Sequence, residues 1–150
     1  MISKKLLPQA GETSLDTQFI AVGTGGYATT SPDALSGGSW AAGGPGGGNL
    51  FSTAFGAGTY IVGGFNGGIW ESPTGTGSWT QRVNTGAGIF EDMVFGNDLF
   101  AAVGHTNAPR LMVSADAINW TDLTSDIGAT GLRGIGFGYV SEGVPEKPLF

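Results

Sequence analysis

One histidine, three arginines and a scatter of carboxylates are the main polar groups this chain offers for chemistry. His105 stands in "VGHTNAPR". As a general base it needs a nucleophile within hydrogen-bond reach and an acid to orient it. Ser114 and Asp116 are the nearest such pair in sequence, but their wording recurs elsewhere in the chain as a turn. His105 itself falls between two strand-like runs, where an exposed turn residue is the expectation. Glu91, Asp92 and Asp98 in "EDMVFGNDLF", and Asp122 and Asp126 in "TDLTSD", offer hard oxygen ligands. Neither run has the order of an EF-hand loop, so both read as solvated acidic turns. "GGPGGG" at 43–48 lacks the Lys-Ser/Thr pair and following helix of a phosphate loop, and reads as a flexible connection. With no cysteine, thiol catalysis, disulfides and zinc thiolates are excluded. No catalytic residue, metal ligand or cofactor is expected.

The elements around these residues repeat. "FIAVGTGGYATTSPD" at 19–33 matches "YIVGGFNGGIWESPT" at 60–74 and "LFAAVGHTNAPRLMVSAD" at 99–116. Three marker series run through the chain at a spacing near forty residues. Ser31, Ser72 and Ser114 open a turn. Trp40, Trp79 and Trp120 close it. Phe55, Phe95 and Phe137 each precede a glycine. The middle unit parses into "FSTAFG", "YIVGGF", "IWES" and "SWTQRV", four short runs rich in β-formers and bounded by Gly and Asn. No segment shows sustained helical periodicity. The fold expected is therefore all-β, with three repeats of about forty residues, each of four antiparallel strands.

The turn "S-x-D…W" resembles the Asp-box, or bacterial neuraminidase repeat. Ser114, Asp116 and Trp120 keep the pattern; the second copy has Thr74 at the Asp position; the first keeps Ser31 and Asp33 with a longer turn before Trp40. The resemblance implies propeller-type blades, with this turn between the third and fourth strands. It then implies units at about 50–83 and 89–124. Residues 19–43 supply strands two to four of a first unit, and 131–140 supply a lone first strand that could complete it. A β-trefoil, with three repeats of four strands, is the alternative. Asp-boxes in that family are structural turns distant from the catalytic centre. Sialidase chemistry would need converging arginines, and Arg82, Arg110 and Arg133 occupy unlike positions in the repeat.

Charge and composition narrow the partners. The net charge is −6, with no basic patch, which argues against nucleic acid. No apolar run is long enough to span a membrane. Between Thr17 and Ile89 only Asp33, Glu71 and Arg82 are charged. Such a surface is kept wet by Ser, Thr, Asn and Gly, or is covered by other subunits. Residues 1–18 read as an N-terminal docking arm and 141–150 as a C-terminal tail, around a β domain at 19–140. Repeats of this wording look like those of bacteriophage tail, fibre and capsid-decoration proteins, and similar ones occur in bacterial surface proteins. The expectation is a non-enzymatic virion protein, homo-oligomeric, that meets other virion proteins through arm and tail. The alternative is a secreted or surface glycan-binding module, in which Tyr27 and Trp70, at matching third-strand positions, contact sugar.

Overall fold

Short apolar runs joined by two-residue turns close as antiparallel hairpins, and the computed structural model of the chain is built from them. The structure describes residues 19–32, 34–35, 37–105, 110–128 and 131–138. The expected arm at 1–18, the tail at 141–150 and Asp33 lie outside the described residues.

Three antiparallel meanders follow one another along the chain. The first holds β1 (Phe19–Val22), β2 (Ala28–Ser31) and β3 (Ala41–Ala42). The second holds β4 (Leu50–Gly56), β5 (Thr59–Gly64), β6 (Gly68–Ser72) and β7 (Thr80–Asn84). The third holds β8 (Ile89–Gly96), β9 (Leu99–His105), β10 (Arg110–Ser114) and β11 (Thr121–Asp122). Each sheet keeps its strands in chain order. The class is all-β, and among the described residues the one α-helix is a single turn, α1 (Thr124–Ile127).

Each of two tight hairpins places both of its central residues in the left-handed region. Ala57 and Gly58 join β4 to β5 with φ of 48° and 76°, and Asn97 and Asp98 join β8 to β9 with φ of 51° and 58°. Positive φ at both central residues matches the right-handed twist of the flanking strands. The registers that result are the same in both sheets: Phe55 faces Tyr60 as Phe95 faces Phe100. Both first strands also carry a register shift at the same place, between Leu50 and Ser52 and between Phe90 and Asp92.

Neighbouring sheets stack through two apolar clusters. Ala28, Leu50 and Val62 are buried between the first and second sheets, with Ile20, Val22, Trp70 and Trp79 packed against them. Ile61, Ile69, Phe90, Met93, Phe100, Ala102 and Met112 form the larger cluster between the second and third. Glycine lets the sheets approach. A Cβ on Gly56 would lie 2.1 Å from the ring of Phe95, so that ring occupies the space of a missing side chain. The pairing is repeated one unit later, where Phe137 covers Gly96 in the same way.

Residues 131–138 form no ladder with any described strand. They are placed, however, as a first strand would be. Leu132 donates its N–H to Gly104 O at 3.0 Å, just as Leu50 donates to Gly23 O at 3.0 Å two repeats earlier. Ile135 N–H donates to Asp92 Oδ2 at 3.0 Å.

Candidate functional site

The repeated turn is built from the serine outward. Ser31, Ser72 and Ser114 end β2, β6 and β10 and are all buried. Each hydroxyl accepts backbone amides that the turn would otherwise leave unsatisfied. Ser31 Oγ accepts from Ala34 N at 2.9 Å, and Ser72 Oγ from Gly75 N at 3.1 Å. Ser114 Oγ accepts from Asp116 N at 3.3 Å and donates to Asp116 Oδ1 at 3.0 Å. Three residues after each serine the backbone is left-handed: Ala34, Gly75 and Ala117 have φ of 54°, 70° and 61°.

Asp116 completes the third turn. Its Oδ1 accepts from Asn119 N at 2.8 Å and Ile118 N at 2.9 Å, and its Oδ2 accepts from Asn119 Nδ2 at 2.8 Å. Donation by the Asn119 backbone and side-chain amides, then by Ile118, holds this carboxyl well below the usual carboxylate range. In the second turn Thr74 stands in that place and donates its hydroxyl to Thr76 O at 2.6 Å. The tryptophans that follow pack toward the preceding sheet. Trp79 Nε1 donates to Gly43 O at 3.2 Å, and Trp120 donates to Ala117 O at 3.0 Å with its ring 6.5 Å from Phe100. Trp40 is half-buried. The side chains of the turn are thus engaged in holding backbone and stacking sheets.

The structure separates the other polar residues. His105 closes β9 and its Nδ1 lies 3.0 Å from Glu91 Oε1, away from Ser114 and Asp116. It is half-buried, not the exposed turn residue that its position suggested, because Ile89 pairs with it and extends the ladder. Arg133 meets the same Glu91 oxygen at 3.6 Å, whereas Arg82 pairs with Glu71 Oε2 at 3.1 Å in another sheet. Arg110 opens β10. Among the described residues no group of three His, Asp or Glu is placed to hold a metal ion.

One groove gathers binding chemistry. It lies between the 46–48 glycines and the second sheet, with a volume near 360 Å³. Phe65, Asn66, Trp70, Gln81 and Asn84 line it. The Trp70 ring lies over Gly68, where a Cβ would come within 2.2 Å of it. Aromatic surface flanked by three neutral amides suits a neutral, hydroxyl-rich ligand, which stacks on the ring and exchanges hydrogen bonds with the amides. Trp70 belongs to this groove; Tyr27 is exposed and is not part of its lining. Sequence reasoning missed Phe65, Asn66, Gln81 and Asn84, because they come from two segments on either side of β6 and only the β5–β6 and β6–β7 registers bring them together. Gln81 opposite Trp70 was the available signal, once the ladder is drawn. The chain matches no family model, no curated protein and no solved structure.

Proposed function

We propose that this chain works by assembly, as a section of propeller-type β architecture completed by other subunits on a particle surface. Its place on this reading is a tail, fibre or capsid-decoration component of a tailed bacteriophage, and it is not an enzyme. One observation carries the assembly reading. The second sheet is covered on both faces, while the first and third each end in an apolar face that the chain itself leaves half-covered. Phe19 is 52% exposed on one outer face, and Ala101, Leu111 and Val113 are half-buried on the other. Faces of this kind call for a partner. The virion placement comes from the resemblance of the repeats and from the low charge of residues 17–89. Its test is co-sedimentation with purified particles after expression in an infected host. The full chain should travel with the particles, and a chain lacking residues 1–18 should not. Absence of the full chain from particles overturns the placement.

The Trp70 groove favours a second reading, a glycan-binding module at the cell surface or on a fibre tip. A glycan array probed with the purified chain tests it. Binding of a neutral saccharide that Trp70→Ala reduces at least about tenfold supports it, since stacking on an aromatic ring contributes on the order of 1 kcal/mol or more. Equal binding by the variant removes the groove from consideration.

A further inference from the structure

We propose that residues 131–138 of a second copy of this chain form the strand beside β1, with Phe137 opposite Phe19. The inference rests on the assembly reading and names the partner. Its starting point is the pair of junctions completed within one chain. Phe55 faces Tyr60 and Thr53 faces Val62 in the second sheet; Phe95 faces Phe100 and Met93 faces Ala102 in the third. The facing rings lie 4.5 and 4.6 Å apart. Tyr60 and Phe100 are buried there.

The first sheet holds only half of this junction. Phe19 has the place of Tyr60 and Phe100 and is 52% exposed. One edge of β1 pairs with β2, and its other edge has no partner among the described strands. The other half of the junction is at the far end of the chain. Phe137 has the place of Phe55 and Phe95 and is 44% exposed. Laid in the same register, Ile135 meets Ala21, Gly134 meets Val22, and Leu132 meets Gly23 after a shift at Arg133. That shift falls where β4 and β8 have theirs, at Phe51 and Glu91.

A third match is independent of the pairing. Phe95 sits over Gly56 and Phe137 over Gly96, each ring covering a glycine of the preceding first strand. Phe55 is next in that series, is 39% exposed, and has no preceding first strand among the described residues. Gly138 is the corresponding glycine, and a Cβ on it would meet nothing within 4 Å. A second copy placed in the Phe137–Phe19 register sets Gly138 beneath Phe55.

The 131–138 segment of the same chain is not the donor. Its own 131–138 segment is docked on the third sheet through Leu132 and Ile135, and the second sheet stands between that sheet and β1. Closure of three sheets alone would also fall below the roughly four to eight blades that propellers use. Two copies that exchange the segment close a ring of six sheets, twice the three of one chain, with no open edge at either junction.

Cysteine pairing reads the register directly, because the chain has no cysteine of its own. Facing residues of an antiparallel pair lie within the Cα separation a disulfide spans. Phe19→Cys and Phe137→Cys chains are mixed, oxidised and resolved on a non-reducing gel, with native mass spectrometry of the unmodified chain beside them. A dimer by mass and a mixed disulfide roughly tenfold stronger than that of Ile20→Cys with Phe137→Cys are expected, since one residue of slip turns the side chain to the other face. The pair Ala21→Cys with Ile135→Cys repeats the measurement where loss of either ring disturbs folding. A monomer by mass, a disulfide within one double-variant chain, or bonding no stronger than in the slipped pair overturns the proposal. Particle co-sedimentation stays a separate readout. Without the disulfide but with co-sedimentation, self-pairing falls and assembly stands; with the disulfide alone, the virion placement falls.

Discussion

Ile69 and Leu111 hold the same place in successive repeats, three residues before the serine of the turn, yet their surroundings differ. Ile69 is fully buried between the second and third sheets. Leu111 is only half-buried; among the described residues the single segment 131–138, rather than another whole sheet, lies beyond the third sheet. The same contrast separates Tyr60, at 3% exposure, from Phe19, at 52%. Similar strands thus take their stability from what stacks on them, and the repeat is one of junctions more than of sheets. A sheet covered on one face retains hydrogen-bonded ladders but lacks the burial that makes a ladder stable.

The largest test removes the same apolar bulk from both places. Ile69→Ala should cost about 3–4 kcal/mol in urea unfolding, as expected for a cavity in a buried cluster. Leu111→Ala should cost about 1 kcal/mol in dilute protein. That second cost should grow with protein concentration if another subunit covers the third sheet, and equal costs at low concentration would break the contrast. Next come the glycines beneath the rings. Gly56→Ala drives a methyl into Phe95, held between two sheets, and should cost about 1–3 kcal/mol. Gly96→Ala meets Phe137 on a segment with fewer constraints and should cost under about 1 kcal/mol, again by urea titration.

A smaller effect sharpens the comparison of the turns. Thr74→Asp gives the second turn the carboxylate that the third has in Asp116. It should add about 1 kcal/mol or less, the range of an exposed hydrogen-bonded group. The sign with pH follows from the depressed carboxyl of Asp116. Its contribution is full above the ordinary carboxylate range and is lost as pH falls from about 4 through the lowered folded value. Asp116→Asn should therefore differ from the parent at neutral pH and converge on it in acid, and Thr74→Asp should acquire the same dependence. A gain in Thr74→Asp that survives acid would mean that its charge is not the cause. The smallest change is Ala34→Gly, which relieves a left-handed alanine on an exposed turn and should raise stability by about 0.5 kcal/mol in thermal melts.

Much of the all-β framework was legible, because hairpins are specified locally. Asn66 and Gly67, or Gly58 after Ala57, mark their turns by the Asn and Gly they contain, and the strands follow from the alternation between them. The β4–β7 boundaries lie within two residues of the parsed runs. What the sequence hid is set by contacts distant along the chain. The shifts at Phe51 and Glu91 leave no turn residue to mark them. α1 is one turn, too short for a helical period, and is held at its start by Thr124 N–H donating to Asp122 Oδ1 at 2.8 Å. The 131–138 segment carries strand-like wording, but a ladder needs a neighbour, and no described strand pairs with it. In the groove, Trp70 was legible as an unusual aromatic. Its amide neighbours were not, since Asn and Gln are common in polar strands and acquire meaning only through register.

The rings over Gly56 and Gly96 also bear on how such a chain could be lengthened, shortened or recombined. Each contact divides its two halves between adjacent units: the glycine belongs to one, the phenylalanine to the next. A unit cut out at its turns and grafted elsewhere would therefore carry a mismatched half at either end unless the recipient kept the same spacing. The portable piece is the stretch from one Phe-Gly pair to the following one, and a graft that respects it would keep its neighbours at the same distance whatever its outer loops contained.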